Sequence, residues 1–100
     1  MYDILSVTKR CFAVKLHCED ESGVDHATEL EIFPPKLKVL REIVACANDI
    51  PGMQEAVKKM LSNNKSKFVV PDEYIGGMDV DELSGLLTAY FKWVSEAKKN

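Results

Sequence analysis

Two kinds of hydrophobic spacing divide this chain, and they meet at Phe33-Pro34-Pro35-Lys36-Leu37. Upstream, apolar and polar residues alternate. Phe12, Val14 and Leu16 fall on one face of an extended segment over residues 4–17, with Cys11, Ala13, Lys15 and His17 on the other. Residues 28–33 alternate again, placing Leu30 and Ile32 opposite Glu29 and Glu31. The polar stretch between them, residues 18–27, reads as a long and mobile loop, so the pair is expected to form an antiparallel hairpin. Proline holds φ near −65° and has no N–H to donate, so the Pro34-Pro35 pair suits both the end of a strand and the start of a helix.

Downstream the spacing becomes helical. Leu37, Leu40, Ile43, Val44 and Ala47 form one stripe of a helix over residues 35–48, which Asn48 to Gly52 should stop. Met53, Ala56, Val57, Met60 and Leu61 repeat that spacing over residues 52–62. A polar linker follows, then the short apolar run Phe68-Val69-Val70, expected either to pair with the hairpin or to pin the linker to the core. Asp72 can start a single turn before Gly76-Gly77 breaks it. The closing helix has the clearest start: Asp79 as cap with Glu82 three residues on. The predicted fold class is α+β, an N-terminal antiparallel β-hairpin (about residues 4–33) followed by a compact bundle of three main α-helices (about residues 35–98), as one domain over residues 1–100.

Composition adds bounds. At 100 residues, 46% hydrophobic and 29% charged, the chain suits one modest soluble core. It has no apolar run of the ~20 residues that cross a bilayer and no signal-peptide pattern near its start, so a cytoplasmic protein is expected. The net charge of −3 argues against nucleic acid. The charge is unevenly spread, with acidic residues dominating 1–35 and 71–100 and basic ones dominating 36–70. That pattern fits either a solvated basic helix pair or complementary contact between subunits.

Residues able to do chemistry are sparse. Cys11, Cys18, Cys46, His17 and His26 match no common zinc spacing. Glu19, Asp20, Glu21 and Asp25 lack the alternation of a calcium loop. Gly76-Gly77 is followed by no Lys-Ser or Lys-Thr, and no Ser or Cys sits in a nucleophile context. The expectation is a non-enzymatic protein with no cofactor, no metal and no catalytic residue. Gly85, inside the last helix, has two readings, close approach of another backbone or an exposed position free to vary.

The strongest functional signal is the width of the last helix's apolar face. Leu83, Leu86, Leu87, Tyr90, Phe91, Trp93 and Val94 span an arc of about 160°, wider than the ~100° that one packing face uses. Either the small body covers all of it, or one edge stays open for a partner. On the second reading the partner-binding residues are Leu86, Tyr90, Phe91 and Trp93.

Two segments carry a family resemblance: Pro34-Pro35-Lys36-Leu37-Lys38 and Leu87-Thr88-Ala89-Tyr90-Phe91-Lys92-Trp93. With an extended N-terminal segment before and a polar middle between, the plan over residues 30–95 resembles small tail assembly chaperones of tailed bacteriophages and prophages of Gram-positive bacteria. The hairpin departs from that plan, many such chaperones being nearly all helical. The resemblance implies a protein of the bacterial host cytoplasm that binds the tape-measure protein, and the tail tube protein as a further partner, with weak homo-oligomer formation. Met53, Met60 and Met78 would supply adaptable bulk for such binding. The alternative is a small regulatory or inhibitory protein of mobile-element origin that docks on a host protein complex.

Overall fold

The computed structural model describes residues 1–99. It has the α+β architecture expected: a two-stranded antiparallel hairpin, then helices. Strand β1 (Phe12–Glu19) pairs with β2 (Asp25–Ile32), from Phe12 opposite Ile32 to Glu19 opposite Asp25. Val14, Leu16, Leu30 and Ile32 face inward and are buried. On the other face Lys15 stands opposite Glu29.

Both strands differ in extent from the sequence expectation. β1 starts at Phe12 rather than residue 4, because Asp3 diverts the chain into a 3-10 turn over Ile4–Ser6: its carboxylate accepts the Leu5 N–H at 2.9 Å. At the other end the ladder runs further than the alternation does. Only Cys18 is half-buried there and the other four positions are exposed, so residues 18–19 and 25–27 pair without a hydrophobic pattern to announce them. The loop shrinks to residues 20–24 and is stapled. Asp20 Oδ1 accepts the N–H groups of Ser22 (2.9 Å) and Val24 (3.0 Å), and Gly23 takes the left-handed conformation at φ 80°.

Helix α1 (Leu37–Cys46) is shorter than the 35–48 expected. Helix α2 (Ile50–Ser62) begins two residues early, because Asp49 caps it, accepting the Gly52 N–H at 2.7 Å, and Pro51 fits its first turn. The run Asn48–Gly52 therefore starts one helix as it ends the other. A Cβ on Gly52 would collide with the Cys46 carbonyl oxygen, so glycine is what lets the two helices turn so tightly. The stripe of α1 is also rotated from expectation. Val39, Ile43, Cys46 and Ala47 turn toward the core and Leu40 is half-buried, whereas Leu37 and Val44 are 70% and 54% exposed. This short helix packs chiefly on α2, a contact narrower than its apolar arc.

Helix α2 lies at the centre, with Ala56, Val57, Met60 and Leu61 all buried. After it, residues 63–65 add a short rung to the outer edge of β2. Phe33 N–H donates to the Asn63 carbonyl (3.0 Å) and Lys65 N–H to the Glu31 carbonyl (2.8 Å), around an Ile32–Asn64 bridge. Phe68-Val69-Val70 joins no strand; Val70 packs against the core while Val69 faces water. Helix α3 (Asp72–Gly76) follows, and α4 (Val80–Ser95) closes the fold from a complete Asp79–Glu82 capping box. A Cβ at Gly85 would meet nothing within 4 Å, so no backbone approaches it and the open-position reading holds. No described helix is long and apolar enough to cross a membrane.

Candidate functional site

The four aromatic and aliphatic residues expected to bind a partner lie at different depths. Tyr90 is 1% exposed and belongs to the core, which corrects its assignment to a partner face. Its ring meets Phe12 edge-on at 5.9 Å between centroids and lies 5.8 Å from Phe91 and 6.0 Å from Trp93. The middle of the α4 arc is thus sealed by the hairpin and α2, with Leu83 and Leu87 buried beside it. What remains half-exposed are two edges. Leu86 and Trp93 lie on the one toward β1, and Phe91 lies on the other.

Trp93 is engaged within the chain. Phe12 lies against it at 5.5 Å, and the Arg10 guanidinium sits 4.5 Å above its ring while donating a 2.8 Å hydrogen bond to the Trp93 carbonyl. Nothing local in the sequence links positions 10 and 93. An arginine just before a strand that begins with an aromatic was the one available cue, and it names no partner. A cation over an indole face contributes about 0.5–1 kcal/mol at an exposed site, and more when desolvated. Replacing Trp93 by alanine is therefore expected to lower stability by about 2 kcal/mol, and Arg10→Ala by less; denaturant unfolding of both variants and their double mutant measures the shared part.

The expectation also missed the largest exposed apolar segment. Met1, Tyr2, Ile4, Leu5 and Val7 all stand in solvent, Leu5 at 87%, and none of the residues of the Ile4–Ser6 turn is buried. Alternation with the strand that follows concealed this, since the same residues continue a period-two pattern. Leu37 and Val44 are exposed as well, two turns apart on the outer side of α1.

The histidines and acidic residues of the hairpin pair with one another. His17 Nδ1 lies 2.7 Å from Asp25 Oδ2, and His26 Nε2 lies 2.8 Å from Asp20 Oδ2. The hydrogen bond from His26, followed by that from the Val24 N–H, holds the Asp20 carboxyl below its usual value of 3.8. Both pairs are well exposed, and they brace the tip of the hairpin rather than converge on a point. No group of three or more His, Cys, Asp or Glu among the described residues is placed to hold a metal ion.

Comparison with known protein families, curated proteins and solved structures finds no match.

Proposed function

We propose that this chain is a non-enzymatic protein-binding module, and that it serves as a tail assembly chaperone holding the tape-measure protein during tail morphogenesis. The observation that carries the binding role is the amount of apolar side chain left in water by a chain whose core is otherwise closed. In the single chain, residues 1–7, Leu37 and Val44 on α1, and the two edges of α4 each leave apolar side chain in water. Contiguous exposed apolar surface on a small folded protein marks interaction sites. Several modest patches suit reversible holding of a long partner better than one deep pocket, because each grips weakly and together they add by avidity. The choice of tape-measure protein as partner rests on the resemblance of the Pro34–Lys38 and Leu87–Trp93 segments.

Co-expression tests this reading. The tape-measure protein of the same genome, produced with this chain, is expected to move from the pellet to the soluble fraction and to co-purify. Leu37→Asp, at a side chain 70% exposed, is expected to reduce the captured amount while leaving the melting temperature within a few degrees. Equal tape-measure solubility with and without this chain would overturn the proposal.

A further inference from the structure

The open edge of β1 has a defined set of unsatisfied backbone groups. Asp20 N–H donates to the Val24 carbonyl at 3.0 Å, and in an antiparallel ladder bonded and non-bonded pairs alternate. Phe12, Val14, Leu16 and Cys18 therefore bond across to β2, and the N–H and C=O groups of Ala13, Lys15 and His17 point away from it. The same alternation turns Glu31 and Phe33 of β2 outward, and those are the residues that bond to Lys65 and Asn63. One end of the β2 edge is thus covered. The β1 edge has no backbone partner among the described residues. Beside it runs a shallow groove, with residues 14–17 as one wall and Met78, Glu82 and Leu86 as the other. Its strand wall includes residues from both faces of β1 and none from β2, which places the groove at the strand's outer edge.

The chain also carries a segment suited to that groove, the exposed arm of residues 1–9. Continuing the alternation of β1 into the arm puts Tyr2 and Ile4 on the side of Val14 and Leu16, facing Leu86 and Met78. It puts Asp3 on the side of Lys15 and His17, a charge match. The arm cannot readily fold back on its own edge. Arg10 is fastened to Trp93, and Thr8-Lys9-Arg10-Cys11 contains none of the Gly, Asn, Asp or Pro residues that tight reversals use. A second copy meets no such obstacle, since antiparallel pairing about a two-fold axis gives each arm the other's edge and closes the assembly at two.

We propose that two copies of this chain form a symmetric dimer in which the arm of each, residues 1–9, lies as an added strand along the β1 edge of the other. The Ile4–Ser6 turn opens as it docks, losing the Asp3 cap and two backbone bonds and gaining a row of strand bonds. The arrangement also covers an exposed strand edge that would otherwise invite uncontrolled pairing.

Sedimentation equilibrium of the full chain, from low micromolar to near-millimolar concentration, measures the association. A monomer–dimer equilibrium is expected. The double variant Tyr2→Asp, Ile4→Asp is expected to weaken it about tenfold or more with an unchanged melting temperature, because both side chains are exposed in the single chain. Amide exchange supplies the second readout: the N–H groups of Ala13, Lys15 and His17 should become protected as concentration rises, and stay unprotected in the double variant. A wild-type chain that remains monomeric throughout would overturn the dimer. So would a dimer whose constant ignores the double variant, or protection of those amides only on adding an unrelated peptide. The measurement uses this chain alone, so its outcome is independent of whether the tape-measure protein is the partner.

Discussion

Replacing Tyr90 by alanine is expected to lower unfolding free energy by about 3–5 kcal/mol, the range for truncating a large buried aromatic. The ring is sealed and sits among Phe12, Phe91 and Trp93, all within 6.0 Å between centroids, so its loss leaves a cavity at the joint between hairpin and last helix. Small domains have a total stability of about 5–15 kcal/mol, so a variant this damaged should unfold at markedly lower denaturant concentration. The hydroxyl has a separate signature. Burial pushes the Tyr90 phenol up to about 12. An unfolded tyrosine titrates near 10, so between those values the unfolded chain releases a proton that the folded chain keeps. The contribution is complete below pH 10 and disappears as pH rises toward 12, a loss of roughly 1–2 kcal/mol. Tyr90→Phe is expected to change stability by less than about 1 kcal/mol at pH 7 and to flatten that alkaline decline. Equilibrium unfolding of wild type and Tyr90→Phe from pH 8 to pH 11 checks both statements.

Asn64→Ala is expected to cost about 2–4 kcal/mol although it removes no apolar contact of consequence. Asn64 is the one polar side chain in the described core, 4% exposed, and both ends of its amide are used. Nδ2 donates to the carbonyls of Leu61 (2.9 Å) and Phe68 (2.8 Å). Oδ1 accepts from the Phe68 N–H (2.7 Å) and the Ser66 hydroxyl (3.1 Å). The side chain thus ties the end of α2 to the start of the 68–70 run, while its neighbours hold β2. Truncation leaves the buried Leu61 carbonyl and the part-buried Phe68 carbonyl and amide without the partners they have here. Asn64→Asp keeps the acceptor but loses both donors and sets a negative charge against two carbonyl oxygens, so it should be no better tolerated. Thermal unfolding with hydrogen exchange at Phe68 separates these outcomes. A Phe68 amide still protected in Asn64→Ala would show the knot to be unnecessary.

The architecture was legible because its main signals are local. Alternation at Val14 and Leu16 and at Leu30 and Ile32, the Asp79–Glu82 box and the spacing of Ala56, Val57, Met60 and Leu61 each state an element without reference to the rest. Boundaries failed where one residue served two elements. Asp49 reads as a helix stop and acts as a helix cap, and Asp3 turns a strand-like pattern into a 3-10 turn. The partner face was legible only in part. The breadth of the α4 arc was plain, but how much of it the body covers depends on contacts between distant positions. Phe12 reaches Tyr90 and Trp93, and Arg10 reaches Trp93, and no spacing rule links those pairs. Leu37 shows the converse: a place on a helical stripe says that a side chain can be buried, whereas the width of the neighbouring helix decides whether it is.

The stapled hairpin tip has a practical use. Residues 20–24 are held by their own hydrogen bonds and are all exposed, so the ladder beneath them does not depend on the identity of Ser22. The closure entropy of a loop grows only slowly with its length. An affinity tag or fluorophore-bearing peptide spliced between Ser22 and Gly23 would ride on the far end of the ribbon. It would leave residues 1–9 and the edges of α4 unencumbered, so the molecule could be tethered to a surface without blocking the pairing of those surfaces with a second copy or another partner.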